Sequence, residues 1–257
     1  MINKKDKQEK WELIFFDDFN DNELDRSKWN VIDAGGGFGN NELQYYADRL
    51  ENVKVENSNL IITAIKENTK YNETYDYTSG KLTTQDKFYF TYGKVEVKAK
   101  LPKTQGIWPA IWMMPQDLNK YGEWPSCGEI DIMELLGQEP NTVYGTIHYG
   151  NPHTYNGSSY TLEQGDFSQD YHIFSIEWEP GEIRWYVDGV HYLTRTDWFT
   201  KDENGRIYKD HPAPFDRDFY LILNVAVGGN WPGYPDSTTI FPQQMLVDYV
   251  KVYKKID

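Results

Sequence analysis

The sequence predicts an all-β protein, a β-sandwich or jelly roll of two antiparallel sheets. Three observations carry this. Apolar and polar residues alternate strictly over 94–101, with Val95, Val97, Ala99 and Leu101 on one face and Lys94, Glu96, Lys98 and Lys100 on the other. Short apolar runs recur along the chain, separated by Gly, Pro and Asn turns. No stretch sustains the helical period.

Residues 1–10 are charged and carry no apolar run, so we expect a flexible arm ahead of one domain over 11–257. A short helical turn fits Asp25–Trp29. LIITAI, from Leu60, reads as a strand, and the polar segment 66–81 as a surface excursion. KVEVKAKL follows, then TVYGTIHY. HIFSIEW, EIRWYV and VHYLT form a meander, turned at Glu-Pro-Gly and at Asp188-Gly189, a dipeptide that suits a tight hairpin. A second helical turn is expected at Asp197–Thr200 and a second polar excursion over 201–210. FYLILNVAV and LVDYVKVY complete the strands.

A chain of 257 residues can bury a core that needs no staples. Its single cysteine, Cys127, excludes an intrachain disulfide and is read as a small packing residue. The net charge of −14 opposes nucleic-acid binding, which needs a basic patch, and also disfavours an anionic polymer as substrate. No run approaches a membrane span. Aromatic residues make up 16% of the chain, enough to furnish both a core and platforms for flat ligands.

The run GEIDIMEL holds Glu129, Asp131 and Glu134. In a strand, residues two apart share a face, so Glu129 and Asp131 point together and Ile130 and Ile132 point to the core. Regular alternation would send Glu134 to the core side, where an unpaired carboxylate costs several kcal/mol, of order 2–7. One extra residue near Ile132–Met133, a β-bulge, returns it to the acid face, and bulges are frequent beside active sites. Three acids on one face suit an exposed strand, a divalent cation or a glycosidase pair with a helper. Residues two apart sit roughly 6–7 Å apart at Cα. That is close to the ~5–5.5 Å carboxyl separation of retaining glycosidases.

GEIDIMEL resembles the Glu-x-Asp-x-x-Glu signature of family 16 glycoside hydrolases. FFDDFNDNELDRSKWN, GNNELQYYADRLENVKVENSNLIITA, YGKVEVKAKLP, GIWPAIWMMP, YGTIHYG and LILNVAVGGNWPG are similar to laminarinase segments in the same order, over roughly residues 11–253. The resemblance implies a jelly roll with a concave sheet bearing a cleft, and an endo-acting, retaining β-1,3-glucanase. Glu129 would be the nucleophile, Glu134 the general acid/base and Asp131 the helper between them. Trp108 and Trp112 would line the cleft, Trp231 would be a sugar platform, and Asn41 and His148 would offer polar contacts. Lys81 and Lys94 stand where the family commonly has Arg, so a contact from Lys81 to sugar hydroxyls would be looser, lysine being a point charge rather than a planar fork.

The resemblance further implies a structural Ca²⁺ held by Asp248 with groups near Asp18 and the Ser58 turn, and no catalytic cofactor. Asp248 is in phase with Val250 and Val252 and is expected to point to the apolar side. Mixed-linkage β-1,3-1,4-glucan is a second candidate substrate, although relatives specialised for it usually carry the unbulged Glu-x-Asp-x-Glu. A secreted monomer is expected, its signal peptide not present in this chain, with no nucleic-acid or membrane partner. The competing readings are a non-lytic β-glucan recognition protein, disfavoured because all three acids are present, and a hydrolase of lichenan, agarose or carrageenan.

Overall fold

The computed structural model describes residues 10–201, 205, 207–208 and 212–256. Its strands run in order as β1 (Lys10–Asp17), β2 (Asn30–Val31), β3 (Gln44–Tyr46), β4 (Val53–Val55) and β5 (Leu60–Tyr71). Then come β6 (Tyr75–Ser79), β7 (Lys81–Thr83), β8 (Gly93–Lys100), β9 (Ile107–Pro115) and β10 (Glu129–Leu135). They continue with β11 (Thr142–Tyr149), β12 (Thr154–Thr161), β13 (His172–Glu179), β14 (Glu182–Val187) and β15 (Val190–Arg195). The last are β16 (Thr200–Lys201), β17 (Ile207–Tyr208), β18 (Phe219–Val227) and β19 (Gln243–Ile256).

Two sheets pack face to face. One has the order β15-β14-β13-β8-β19-β5-β6-β3, with β1 also on β19 and β4 also on β5. The other, which carries the site, has the order β12-β11-β10-β9-β18-β7-β2. The ladders are antiparallel as expected, except that β3 and β6 pair in parallel. Between the sheets runs one apolar cluster. Val95, Val97 and Ala99 enter it from β8, Ile111 and Met113 from β9, Ile130 from β10, Leu221 and Leu223 from β18, and Val250 and Val252 from β19. Trp29, Trp178 and Trp185 are among its largest fully buried side chains. Alternation then decides the outer face: wherever β9, β11 and β18, and β10 outside its bulge, send one residue inward, the next faces out from the seven-stranded sheet.

Several local expectations are met. The meander is β13-β14-β15, and Asp188 and Gly189 adopt φ of 50° and 77°, the left-handed pair a tight hairpin requires. Trp29 N–H donates to Asp25 C=O at 3.0 Å, closing the first helical turn. Others are corrected. Asp197–Phe199 carry no helical turn and lead directly into β16. Residues 66–77 do lie at the surface, mostly exposed, but as an ordered hairpin: β5 continues to Tyr71 and returns as β6, and only at Thr78 and Ser79 does the segment become buried. Polar residues there alternate within a hairpin, which composition alone reads as loop. The one helical element among the described residues is a 3₁₀ turn at Gly37–Gly39. Of the expected arm only Lys10 falls within the described residues, where it opens β1. Of the second excursion, Lys201 and Ile207–Tyr208 belong to the β16–β17 ladder, and the rest, except Gly205, lies outside the described residues.

Candidate active site

The three acids owe their common face to a bulge in β10. Against β11, Asp131 faces Thr146 and Glu134 faces Tyr144, three steps on one strand against two on the other. Against β9, Asp131 faces Trp112 and Met133 faces Ile111, so Ile132 is the extra residue. Ile130, Ile132, Met133 and Leu135 are all in the core, and Glu129, Asp131 and Glu134 line one open cavity of about 190 Å³. The opposite sheet supports the bulge: the buried Trp185 of β14 donates its indole N–H to Asp131 C=O at 2.8 Å. Gly145 of β11 makes that approach possible, since a Cβ there would sit 2.5 Å from the Trp185 ring.

Each glutamate is oriented by one indole. Trp124 Nε1 donates to Glu129 Oε2 at 2.8 Å, and Trp108 Nε1 donates to Glu134 Oε1 at 3.1 Å. Asp131 is 2% exposed. Its Oδ2 has no hydrogen-bond donor, although His148 Nε2 stands 3.3 Å away. Burial, then repulsion from Asp131, pushes the Glu129 carboxyl up to about 8. Burial pushes Asp131 up to about 7, against a hydrogen bond with Glu129 that pulls it down. Glu134 is raised well above the usual carboxylate range, first by burial and then by repulsion from Asp131. Three enclosed carboxyls thus hold fewer than three charges near neutrality, burial biasing each of them toward its protonated form.

The far wall comes from β3, β7 and β18 with the loop before β3. Trp112 Nε1 donates to Asn224 Oδ1 at 2.6 Å, and Asn224 Nδ2 donates to the Tyr46 hydroxyl at 3.1 Å. Glu42 accepts from Gln44 at 2.6 Å and from Asn40 at 3.2 Å, and burial raises its carboxyl above the ordinary value. Lys81 Nζ sits 4.9 Å from the centre of the Trp112 ring and 5.0 Å from that of Phe38. Burial lowers its ammonium pKa, and Glu42 and Glu129 oppose that shift. Two facing glutamates, a half-buried cation and indole faces form a wall able to bind hydroxyl-rich rings by stacking and hydrogen bonding.

A match to the family model described as glycosyl hydrolases family 16 spans residues 40–251. The chain belongs to glycosyl hydrolase family 16. It is therefore a glycoside hydrolase, and its two packed sheets are a jelly roll. The glucan endo-1,3-beta-glucosidase A1 of Niallia circulans is 42% identical over 264 residues, covering 95% of this chain but only 38% of that protein. The beta-glucanase of Rhodothermus marinus is 42% identical over 265 residues, covering 99% of this chain and 89% of that one. Among solved structures, the laminarinase catalytic domain from Thermotoga maritima MSB8 superposes with a TM-score of 0.84 at 46% identity, covering 96% of this chain and 99% of that one.

Within this family 16 cleft, Trp108, Trp112 and Lys81 join the three acids as cavity lining. His148 stands beside Asp131. Trp231 is 42% exposed and meets Trp108 edge to face at 5.7 Å and Tyr144 at 5.1 Å, so it extends the aromatic surface outward from Glu134. Asn41 does not line the cavity. It adopts φ of 56° and donates to Asn230 Oδ1 at 2.9 Å, tying its loop to the one that displays Trp231, while its neighbours Asn40 and Glu42 face the cavity. Lys94, on the other sheet, pairs with Glu96 at 2.9 Å, away from the cleft. Trp124, Glu42, Tyr46 and Asn224 escaped the sequence reading. Asn224 left a signal, as the lone polar residue within the apolar run LILNVAV. The others gave none, because their roles depend on partners distant in sequence.

The expected orientation of Asp248 is corrected. The ladder to β8 shifts register between Val247 and Tyr249, which turns Asp248 out of phase with the core residues. It is partly exposed, and its Oδ2 accepts from Lys98 Nζ at 2.6 Å. Near it in the ladder, Asp17 of β1 faces Val250 and Leu60 of β5 faces Val247, so the chain leaves β1 at Asp18 and enters β5 after Ser58 on this side of β19. The Asp18 carboxylate accepts from Asn20. One carboxylate beside carbonyl-bearing turns, already drawing an ammonium group, fits a hard cation in donor type.

Proposed function

We propose that this chain hydrolyses β-1,3-glucan internally, with retention of configuration at the anomeric carbon, through Glu129 as nucleophile and Glu134 as general acid/base. The observation that carries the reading is the bulge at Ile132, which sets both glutamates and Asp131 on one wall of a single cavity. Glu129 attacks the anomeric carbon as Glu134 donates its proton to the departing glycosidic oxygen. Asp131, a hydrogen-bond partner of Glu129 on the same face, serves as the electrostatic helper between the two glutamates. Once Glu129 is esterified its charge is gone. The repulsion that keeps Glu134 protonated falls, and Glu134 then accepts a proton from the incoming water.

The names of the relatives, a glucan endo-1,3-beta-glucosidase and a laminarinase among them, support the β-1,3 linkage. A neutral glucan also meets no repulsion from a surface of net charge −14. Trp231, Trp108 and Trp112 serve as sugar platforms, Lys81 and Glu42 as hydroxyl partners. We further read the molecule as a secreted monomer whose catalytic unit spans 11–257. Reducing-sugar release from laminarin, lichenan, agarose and carrageenan by one preparation tests the substrate. Laminarin should be cut well, with lichenan second. Rapid cleavage of agarose or carrageenan without action on laminarin contradicts the reading.

We also propose a structural calcium ion at Asp248, supported by the chain leaving β1 at Asp18 and entering β5 after Ser58 on its side of β19, and by the ammonium group it already attracts. Chelation should lower the melting temperature. No shift, with no metal in the purified protein, removes the ion from the account.

A further inference from the structure

Beside Glu129 and Asp131 the active-site wall adds a histidine, His148, that the proposed glycosyl transfer does not use. One atom each from Glu129, Asp131 and His148 lie within 4.8 Å of one another, and no other group of three or more acid, His or Cys ligands occurs among the described residues. Asp131 is 2% exposed, and its Oδ2 faces His148 Nε2 at 3.3 Å without a hydrogen-bond donor. A buried carboxylate oxygen without a donor is costly unless a proton or a cation reaches it. His148 is held from behind. Its Nδ1 lies 2.9 Å from His153 Nε2, and the two rings stack at 5.2 Å with 17° between their planes. Histidines that ligate metals have their second nitrogen held by a hydrogen-bond acceptor, which sets the tautomer and the ring orientation, and a neutral His153 Nε2 is such an acceptor. With His148 Nδ1 donating to His153, the lone pair of Nε2 is directed at the Asp131–Glu129 edge.

We propose that Glu129, Asp131 and His148 form a binding site for a borderline divalent transition-metal ion, Zn²⁺ as the test case, and that this ion competes with substrate. An imidazole nitrogen and carboxylate oxygens are ligand types that zinc accepts, and three protein ligands leave a fourth position open to water. Binding ties up the carboxylate of the nucleophile and the helper beside it. The occupied enzyme cannot attack the anomeric carbon. Calcium does not suit this position, because it prefers a larger shell composed of oxygens. The binding site rests on the geometry alone, and its inhibitory consequence rests on the role assigned to Glu129.

Calorimetric titration of the wild-type protein with Zn²⁺ should show one ion per chain. In H148N the affinity should fall at least about tenfold, the lower end of what loss of a ligand's support costs. In crystals of the wild type soaked with Zn²⁺, an anomalous peak should lie about 2.0–2.1 Å from His148 Nε2. This second measurement holds even if H148N does not fold. Inhibition of laminarin hydrolysis should be competitive and reversed by chelator. Absence of binding, equal affinity in a folded H148N, or zinc found only elsewhere overturns the site. Binding at the site with uncompetitive inhibition overturns the competition. Binding at the site by a protein inactive on laminarin leaves the metal site standing and removes the glucanase reading instead.

Discussion

Trp108 and Trp124 each direct their one polar atom at a carboxylate, Glu134 and Glu129 respectively, and so convert two flexible acids into fixed ones. The same enclosure makes the acids expensive. Glu134 carries an ordinary value of 4.5 in an unfolded chain and a well-raised one in the fold. The linkage has a definite sign: a group raised on folding is without penalty below 4.5, and stability is lost as pH rises from there toward its folded value. Glutamine stays neutral in both states and keeps an oxygen to accept from Trp108. Glu134→Gln should therefore melt higher than the wild type at neutral pH, by about 2–4 °C per kcal/mol recovered. The difference should widen between pH 5 and pH 8, while turnover falls by roughly 10²–10⁴. Melting curves of both proteins across that range check this. A difference that does not change with pH would show that the Glu134 carboxyl is not raised.

At the scale of elements, the β10 bulge is the decisive feature, and it was legible. An acid five positions from Glu129 can share its face only if the strand carries an extra residue, because burying it opposite would strand a charge among isoleucines. The support for that bulge was not legible. Trp185 and Gly145 belong to strands of opposite sheets, and nothing local in EIRWYV or TVYGTIHY marks them as partners of Asp131. Deleting Ile132 makes a sharp test, since regular alternation over the remaining residues still places Glu129, Asp131 and Glu134 together and Met133 and Leu135 inward. Such a protein should keep measurable activity on an aryl β-glucoside. It should lose about 2–5 kcal/mol of stability to the missing buried side chain, read from denaturant unfolding. A protein that folds cooperatively yet is wholly inactive would mean that the bulge does more than choose a face.

For the whole molecule, the sandwich was readable because each strand buries one face and alternation records it, as over β8 and β11. What failed were features set by contacts remote in sequence. Segment 66–81 reads as a polar surface excursion, and composition did not show that it is paired as a hairpin leading to Lys81 in the cleft. Asp248 looked inward by its phase until a register shift turned it toward Lys98. Nor did the sequence show that Asn41 bonds to Asn230, beside Trp231, while Asn40 and Glu42 line the cavity. The common face of the three acids was readable because their spacing sits in a single strand.

The central claim is the division of labour between Glu129 and Glu134, and product analysis with azide tests it most directly. An activated aryl β-glucoside needs little protonic help to leave, so Glu134→Ala should still form the glycosyl-enzyme on Glu129. Azide, which needs no base, should then restore turnover and release a β-glycosyl azide, the product of two inversions. Glu129→Ala should form no glycosyl-enzyme on any substrate. If Glu129→Ala instead retained glycosylation and Glu134→Ala did not, the assignment would be reversed. If the wild-type protein released its first product with inverted configuration, the retaining mechanism would be wrong.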